Sequence, residues 1–373
     1  MQLIDLRPKR VGADLRGVCQ LGSNVNPFKS PVGDLNSGWN NLAYTAKNTV
    51  GSSFTVDLIN DTLYYIGYFR VTMLPNITTD SKILGLTWNT GADGFGAYPS
   101  FVYVFGSGIV YVVNSVAENK IKIWKAINFQ TMPTIVAELD GNTSRLACNA
   151  YSKDGKEYLF VGGYTQIKGT PHTMYFSQNG GNSFSNIKTT SGIAPESNWH
   201  WHCASYDPYS ELLWIAEGDD INSRGIWYSS DLGTSWDKIN SNDYQPTLIV
   251  PTKDKVFFGR DYGKPGLDSV IKANLPVNVL EDALTFRTDA QGANYYPSGN
   301  YAKIDNEIYI SFSITGGSLT ENYIYGSGDN GLSWHLLYTN SFAIRDILIC
   351  QNKIIGISSD EFKIVYHDRV AWI

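Results

Sequence analysis

Three eleven-residue stretches of this chain, Met174–Phe184, Ile226–Trp236 and Ile324–Trp334, follow one spaced pattern: aromatic, any residue, Ser, any, Asp or Asn, any, Gly, any two, Trp or Phe. The shared positions are Ser177, Asn179, Gly181 and Phe184, then Ser229, Asp231, Gly233 and Trp236, then Ser327, Asp329, Gly331 and Trp334. The pattern has the chemistry of a tight hairpin. Ser and Asp side chains bond nearby backbone groups, Gly takes a dihedral that other residues resist, and the closing aromatic folds back on the turn. A chain holding three such hairpins is a β chain built from repeats.

A second repeat frames the first. Residues 148–163 align without gaps on residues 203–218, each a strand, a turn and a second apolar strand, and each is followed by one of the hairpins. One unit is thus strand A, strand B, strand C, the patterned turn and strand D. Looser copies place A strands near Phe54, Phe101, Leu146, His202, Thr247, Tyr301 and Ile347. B strands are expected at Leu63–Tyr68, Ile109–Val113, Tyr158–Val161, Leu212–Ala216, Val256–Gly259, Ile308–Phe312 and Ile354–Ile357. The period of about 45–55 residues is that of four-stranded blades stacked around an axis, where neighbours hide each other's faces.

The patterned turns resemble the Asp-box, or bacterial neuraminidase repeat, of the sialidase-like β-propellers. The resemblance implies an all-β fold, a β-propeller, and the count of repeated strands gives a seven-bladed β-propeller of four-stranded antiparallel blades, with six blades as the alternative because the first two are read from period alone. The propeller is expected over residues 51–373. Residues 1–50 are read as an irregular extension carrying the strand that closes the ring. Gln2–Leu6 is the expected closing strand, with Val370–Ile373 as the alternative, because an open sheet edge must be covered. In this family the box residues are structural, so the twelve positions above are assigned to turns.

The opposite rim is where chemistry is expected. His200 and His202 open an A strand, and Glu217, Asp219 and Asp220 end the B strand that pairs with it. Antiparallel pairing brings those ends together, and residues two apart in a strand project to one side. Two imidazoles facing carboxylates are able to hold a cation or to serve as an acid/base pair on a sugar; equally, they are able to form a hydrogen-bonded channel wall. Arg145, Arg260, Arg345, Tyr164 and Tyr296 fall at comparable ends of other strands. Arginine forks suit carboxylates and aromatic faces suit sugar rings. These residues, with His202, Asp219 and Asp220, are the candidate ligand-binding set.

Sialidases with this box carry an Arg-Ile-Pro motif, three arginines on the substrate carboxylate, a Tyr–Glu nucleophile pair and an acidic Asp. No Arg-Ile-Pro occurs here, and the three arginines lie in no matching motif. If the chain is an enzyme, His200, His202, Tyr206 and Glu217 are its candidate catalytic residues, for a glycoside hydrolase or a uronic-acid polysaccharide lyase. Box-bearing propellers also occur in bacteriophage tail and receptor-binding proteins. Together with loops rich in Asn, Ser, Tyr and Gly and a start without a secretion signal, this gives the expectation of a non-catalytic, virion-associated protein binding a surface glycan or anionic polysaccharide, with residues 1–50 available to other virion proteins.

Composition bounds the partners. Net charge is −6 and no block of Lys or Arg occurs, which disfavours nucleic acid as partner. No apolar run reaches the ~20 residues that a spanning helix needs, so membrane insertion is not expected. The start, Met1 to Arg10, has no apolar signal core; a virion, or alternatively a cytoplasm, is the expected location. Cys19, Cys148, Cys203 and Cys350 lack metal-ligand spacing and are read as free thiols. No resident metal or cofactor is expected, with His200/His202 as the one place that could take a divalent cation.

Overall fold

The computed structural model describes residues 40–43, 53–57, 62–67, 70–76 and 80–84. From Pro99 to Trp372 it describes all but 116–117, 130, 165–170, 191–199, 220–224, 240–244, 262–265, 277–278, 286–293, 316–321, 341–343, 359–362 and 371. The described chain forms seven four-stranded antiparallel sheets, and the fold is a β-propeller. Blades 1 to 6 occupy residues 53–84, 99–140, 143–189, 200–239, 246–285 and 294–340. Blade 7 joins strands within 344–368 to Asn40–Ala43. Blade 1 and the closing strand are described as backbone, the other six blades largely with side chains.

Burial falls from the axis outwards. In blade 4, strand A (His200–Asp207) is buried at every position and strand B (Leu212–Gly218) at all but the first. Both faces of these strands are covered by neighbouring blades, so they read as continuous apolar or small residues rather than alternating ones. Outer strands reach solvent and alternate loosely, as in Thr134–Asp140. The core is largely aromatic: Tyr151, Tyr158, Phe160, Phe176, Trp201 and Tyr206 form one cluster between blades 3 and 4.

The A strands begin earlier than their apolar pattern suggests, for one shared reason. In blades 2 to 7 the A–B ladder slips near the start of strand A: between Pro99 and Phe101, Thr143 and Cys148, Trp201 and Cys203, Pro246 and Leu248, Pro297 and Tyr301, and Ile344 and Asp346. A bulge inserts unpaired residues and resets which side faces which layer. Alternation becomes readable only beyond it, which is where the sequence placed the strand starts. The bulges themselves, with His202, Thr247 and Arg345 unpaired, line up at one end of the blades.

The three patterned turns all join strands C and D. In each, the Ser hydroxyl donates to the Asp or Asn side chain at 2.8–2.9 Å and accepts the Gly N–H at 2.8–2.9 Å. Asp231 accepts the N–H and hydroxyl of Ser235 at 2.8 and 2.6 Å. These bonds from Ser235, with that from Ser229, hold its carboxyl at about 2. The turn also reaches the preceding blade. Trp236 Nε1 donates to Ile187 O at 2.9 Å, and the Trp334 ring meets Phe257 edge-on with centroids 5.6 Å apart.

Closure corrects one expectation. The outer strand of blade 7 does come from the N-terminal part of the chain, but it is Asn40–Ala43, paired antiparallel with Lys363–Asp368. Gln2–Leu6 lies outside the described residues. Of the other candidate segment, residues 371 and 373 lie outside the described residues; Val370 is buried between blades 6 and 7, and Trp372 packs on blade 6, its indole donating to the Tyr309 hydroxyl at 3.3 Å.

Candidate functional site

His200 and His202 meet Asp219 at the bulged end of blade 4. The bulge at His202 leaves both imidazoles converging, and each residue is only 3% exposed. Their Nε2 atoms lie 3.1 Å apart. Asp219 Oδ2 is 3.5 Å from His200 Nε2, and Asp219 Oδ1 is 3.6 Å from His202 Nε2. Asp219 follows Gly218 with φ at 71°, a left-handed value that turns its carboxylate back over the two rings. Gly218 is needed for close approach: a Cβ there would fall within the His202 ring. The Tyr164 ring lies on His200 with centroids 3.9 Å apart.

Two further groups, Gln245 and Asp261, complete the cluster. Gln245 accepts the Asp219 N–H at 3.1 Å through Oε1 and donates to Asp261 Oδ2 through Nε2 at 3.3 Å. One amide thereby joins blade 4 to blade 5, a link that no spacing in the sequence encodes. Burial pushes the Asp261 carboxyl up to about 6, opposed by the charge of His202 and reinforced by that of Asp219. Burial acts on Asp219 in the same upward direction, but the hydrogen bond from His202 and both imidazole charges win and hold it below the usual carboxylate range. Two neighbouring carboxylates are thus set apart by their surroundings.

Arg145 and Arg260 are each engaged by carboxylates of the fold rather than joined in an anion clamp. Arg260 lies at the expected end of strand B, but its guanidinium turns outward along the sheet, to Asp268 of strand C and to Asp282 of strand D at 3.0 Å. Arg145 pairs with Asp346 of blade 7, an ion pair between innermost strands of non-adjacent blades. A narrow hole makes that reach feasible, and each guanidinium has a carboxylate partner in the fold itself. Arg345 sits at the bulge of blade 7 and Tyr296 on strand A of blade 6; for both, the backbone is described. Asp220 lies outside the described residues.

The candidate catalytic set separates. Tyr206 is near the far end of strand A, at the opposite rim, where Lys156 Nζ donates to its hydroxyl at 2.8 Å. There it lines a cleft of about 610 Å³ with Tyr209, Lys153, Lys156 and Lys253. Glu217 alternates to the other side of strand B from the histidines and accepts from the Trp227 indole. Neither stands beside His200, so these four residues do not form one reaction centre.

No family model matches the chain, and no curated protein sequence matches it either. Solved structures do. The fold is similar to a GH74 xyloglucanase from Xanthomonas campestris, with TM-score 0.58 and 11% identity over 86% of this chain and 52% of that one. It is similar to an extracellular domain assigned to a one component system of B. thetaiotaomicron, with TM-score 0.54 and 10% identity over 89% of this chain and 40% of that one. A chain of the mitotic checkpoint complex gives TM-score 0.53 and 9% identity over 95% of this chain and all of that one. This chain spans about half the xyloglucanase and two fifths of the extracellular domain. At such identities the likeness is one of fold.

Proposed function

We propose that the chain is an Asp-box propeller of the sialidase-like kind that recognises a host surface polysaccharide without turning it over, as a tail-associated component of a bacteriophage virion. One observation carries the binding reading: the half-exposed Tyr164 ring and Asp219 carboxylate stand over the buried His200 and His202 at one rim. An aromatic face beside fixed donors and acceptors is what a sugar ring needs. The Ser–Asp–Gly hydrogen bonds of the three turns support the Asp-box assignment. The separation of Tyr206 and Glu217 from the histidines favours recognition over turnover. Because Arg145 and Arg260 are neutralised by carboxylates, the glycan need not be strongly anionic.

A second reading keeps one specific support. His202 and Asp219, 3.6 Å apart, are within reach of acting as an acid/base pair in hydrolysis or elimination. A glycan array and whole-cell binding assay on the full chain, run beside a turnover assay on sialosides, neutral glycans and uronic-acid polymers, separates the two. Binding without product release, weakened about 5–30-fold in Tyr164→Ala through loss of stacking, is the expected result. Released product in the wild type would establish the enzyme. Unchanged binding in both Tyr164→Ala and His202→Ala would move the recognition surface elsewhere. Capsid and tail genes beside this one would support the virion assignment; their absence would remove it.

A further inference from the structure

We infer that His200, His202 and Asp219 form a binding site for a divalent transition-metal ion, zinc in the first place, with an open fourth position at the rim of the propeller. Three side chains converge here with atoms that ligate metals. Ligands held at about 2.0–2.1 Å from a tetrahedral ion stand about 3.3 Å from each other, against about 3.0 Å for adjacent corners of an octahedron. His200 Nε2 and His202 Nε2 are 3.1 Å apart, and the Asp219 carboxylate spans them, Oδ2 at 3.5 Å from His200 and Oδ1 at 3.6 Å from His202. With one ligand atom from each residue, all three lie within 4.8 Å of one another. A rotation of the half-exposed carboxylate that brings one oxygen between the two nitrogens would close this triangle towards the tetrahedral edge.

Chemistry narrows the ion. Two imidazole nitrogens and one carboxylate oxygen suit zinc and its first-row neighbours, whereas calcium and magnesium require mostly oxygen donors. Without an ion, two buried Nε2 atoms at 3.1 Å must share a proton or oppose their lone pairs. An ion lets both face the centre as neutral acceptors. Two buried polar atoms near the ligands, His202 Nδ1 and Asp261 Oδ1, have no hydrogen-bond partner among the described residues. A carboxylate accepting the outer N–H of a metal-bound imidazole fixes its tautomer and raises its basicity. Gln245 holds Asp261 on one side and the Asp219 backbone on the other, so one amide fixes both carboxylate residues beside the histidines.

Asp219 is the one half-exposed member of the three, so among the described residues its side of the cluster is the accessible one. The fourth position therefore faces the rim beside Tyr164, where water or a ligand hydroxyl could complete the tetrahedron. Zinc uptake is measured without any glycan, so this inference and the glycan reading fail separately.

The test uses the full chain, freed of tags and stripped with chelator, titrated with Zn²⁺ by calorimetry. Cobalt substitution reports geometry through its visible absorption. One Zn²⁺ per chain, strong four-coordinate Co²⁺ bands and a rise in thermal midpoint on adding zinc are expected. Asp219→Asn should raise the zinc Kd at least tenfold while keeping the apo fold, since Asn is at ease at a left-handed φ. His202→Asn should do the same, with circular dichroism confirming the blade structure. No saturable site, equal affinity in wild type and Asp219→Asn, or displacement of zinc by equimolar Ca²⁺ would overturn the assignment.

Discussion

His172 lies beneath the start of strand A of blade 4, where its carbonyl oxygen accepts Trp201 Nε1 at 3.3 Å and the Thr190 N–H at 3.2 Å. Its ring is buried, and that burial pulls its pKa from 6.5 down to about 4. An unfolded chain therefore takes up this proton near pH 6.5, the folded one only near pH 4. Between those values the unfolded state binds more protons, so stability is full above 6.5 and is lost as pH falls towards 4. Urea midpoints measured from pH 7 to pH 4 should decline, and His172→Gln should decline less over that window. Equal declines would mean that other groups govern the acid limb. Cys148 and Cys203 carry a related lesson. They occupy equivalent positions just past the bulges of blades 3 and 4, paired with Val161 and Ala216, and both are buried free thiols. Packing in a repeated slot, rather than redox or metal chemistry, accounts for their matching places.

At the scale of the element, the patterned hairpin does more than turn the chain. Gly331 has φ at 83°, and a Cβ there would run into the Phe257 ring of the preceding blade. Gly233 stands likewise against Ile187, and Gly181 more loosely against Val110. The turn is thus a contact piece between blades, and Gly is required both for its dihedral and for its size. Two substitutions separate these causes. Gly155→Ala, at φ 79° with nothing within 4 Å, should cost about 1–2 kcal/mol from backbone strain alone. Gly331→Ala carries the same strain plus overpacking and should cost about 3 kcal/mol or more. Denaturant midpoints decide it: equal losses would mean that the Phe257 contact yields freely. The turn chemistry was legible because its residues are local and repeated. The contact with Phe257 was not, since it joins residues 74 positions apart that no local pattern connects.

The whole ring depends on a strand of four residues. Asn40–Ala43 is the outer strand of blade 7, joining the earliest described part of the chain to one of the last. Removing residues 1–43 would leave the edge of Lys363–Asp368 unpaired, a template for association with another chain. Such a truncation should lower the thermal midpoint and shift the protein towards oligomers in size-exclusion chromatography; a monomer with unaltered midpoint would show that closure contributes little. The ion pair of Arg145 with Asp346 operates at this scale too, tying blade 3 to blade 7. It explains why an arginine at the mouth need not be a ligand group.

Periodicity, turn chemistry and the gap-free repeat are local properties of the chain, and they sufficed for the all-β class, the four-stranded blades, the B strands and the meeting of His200 and His202 with Asp219, because antiparallel pairing forces strand ends together. Side-chain destinations were decided elsewhere. Arg260 turned to Asp268 and Asp282, Glu217 to Trp227, and Tyr206 to the opposite rim, while Gln245 and Asp261 arrived from the next blade. A strand fixes which end of a blade a residue occupies; which partner it meets there depends on the bulge that sets its side and on the neighbouring blade that faces it, and both exist only once the ring has stacked.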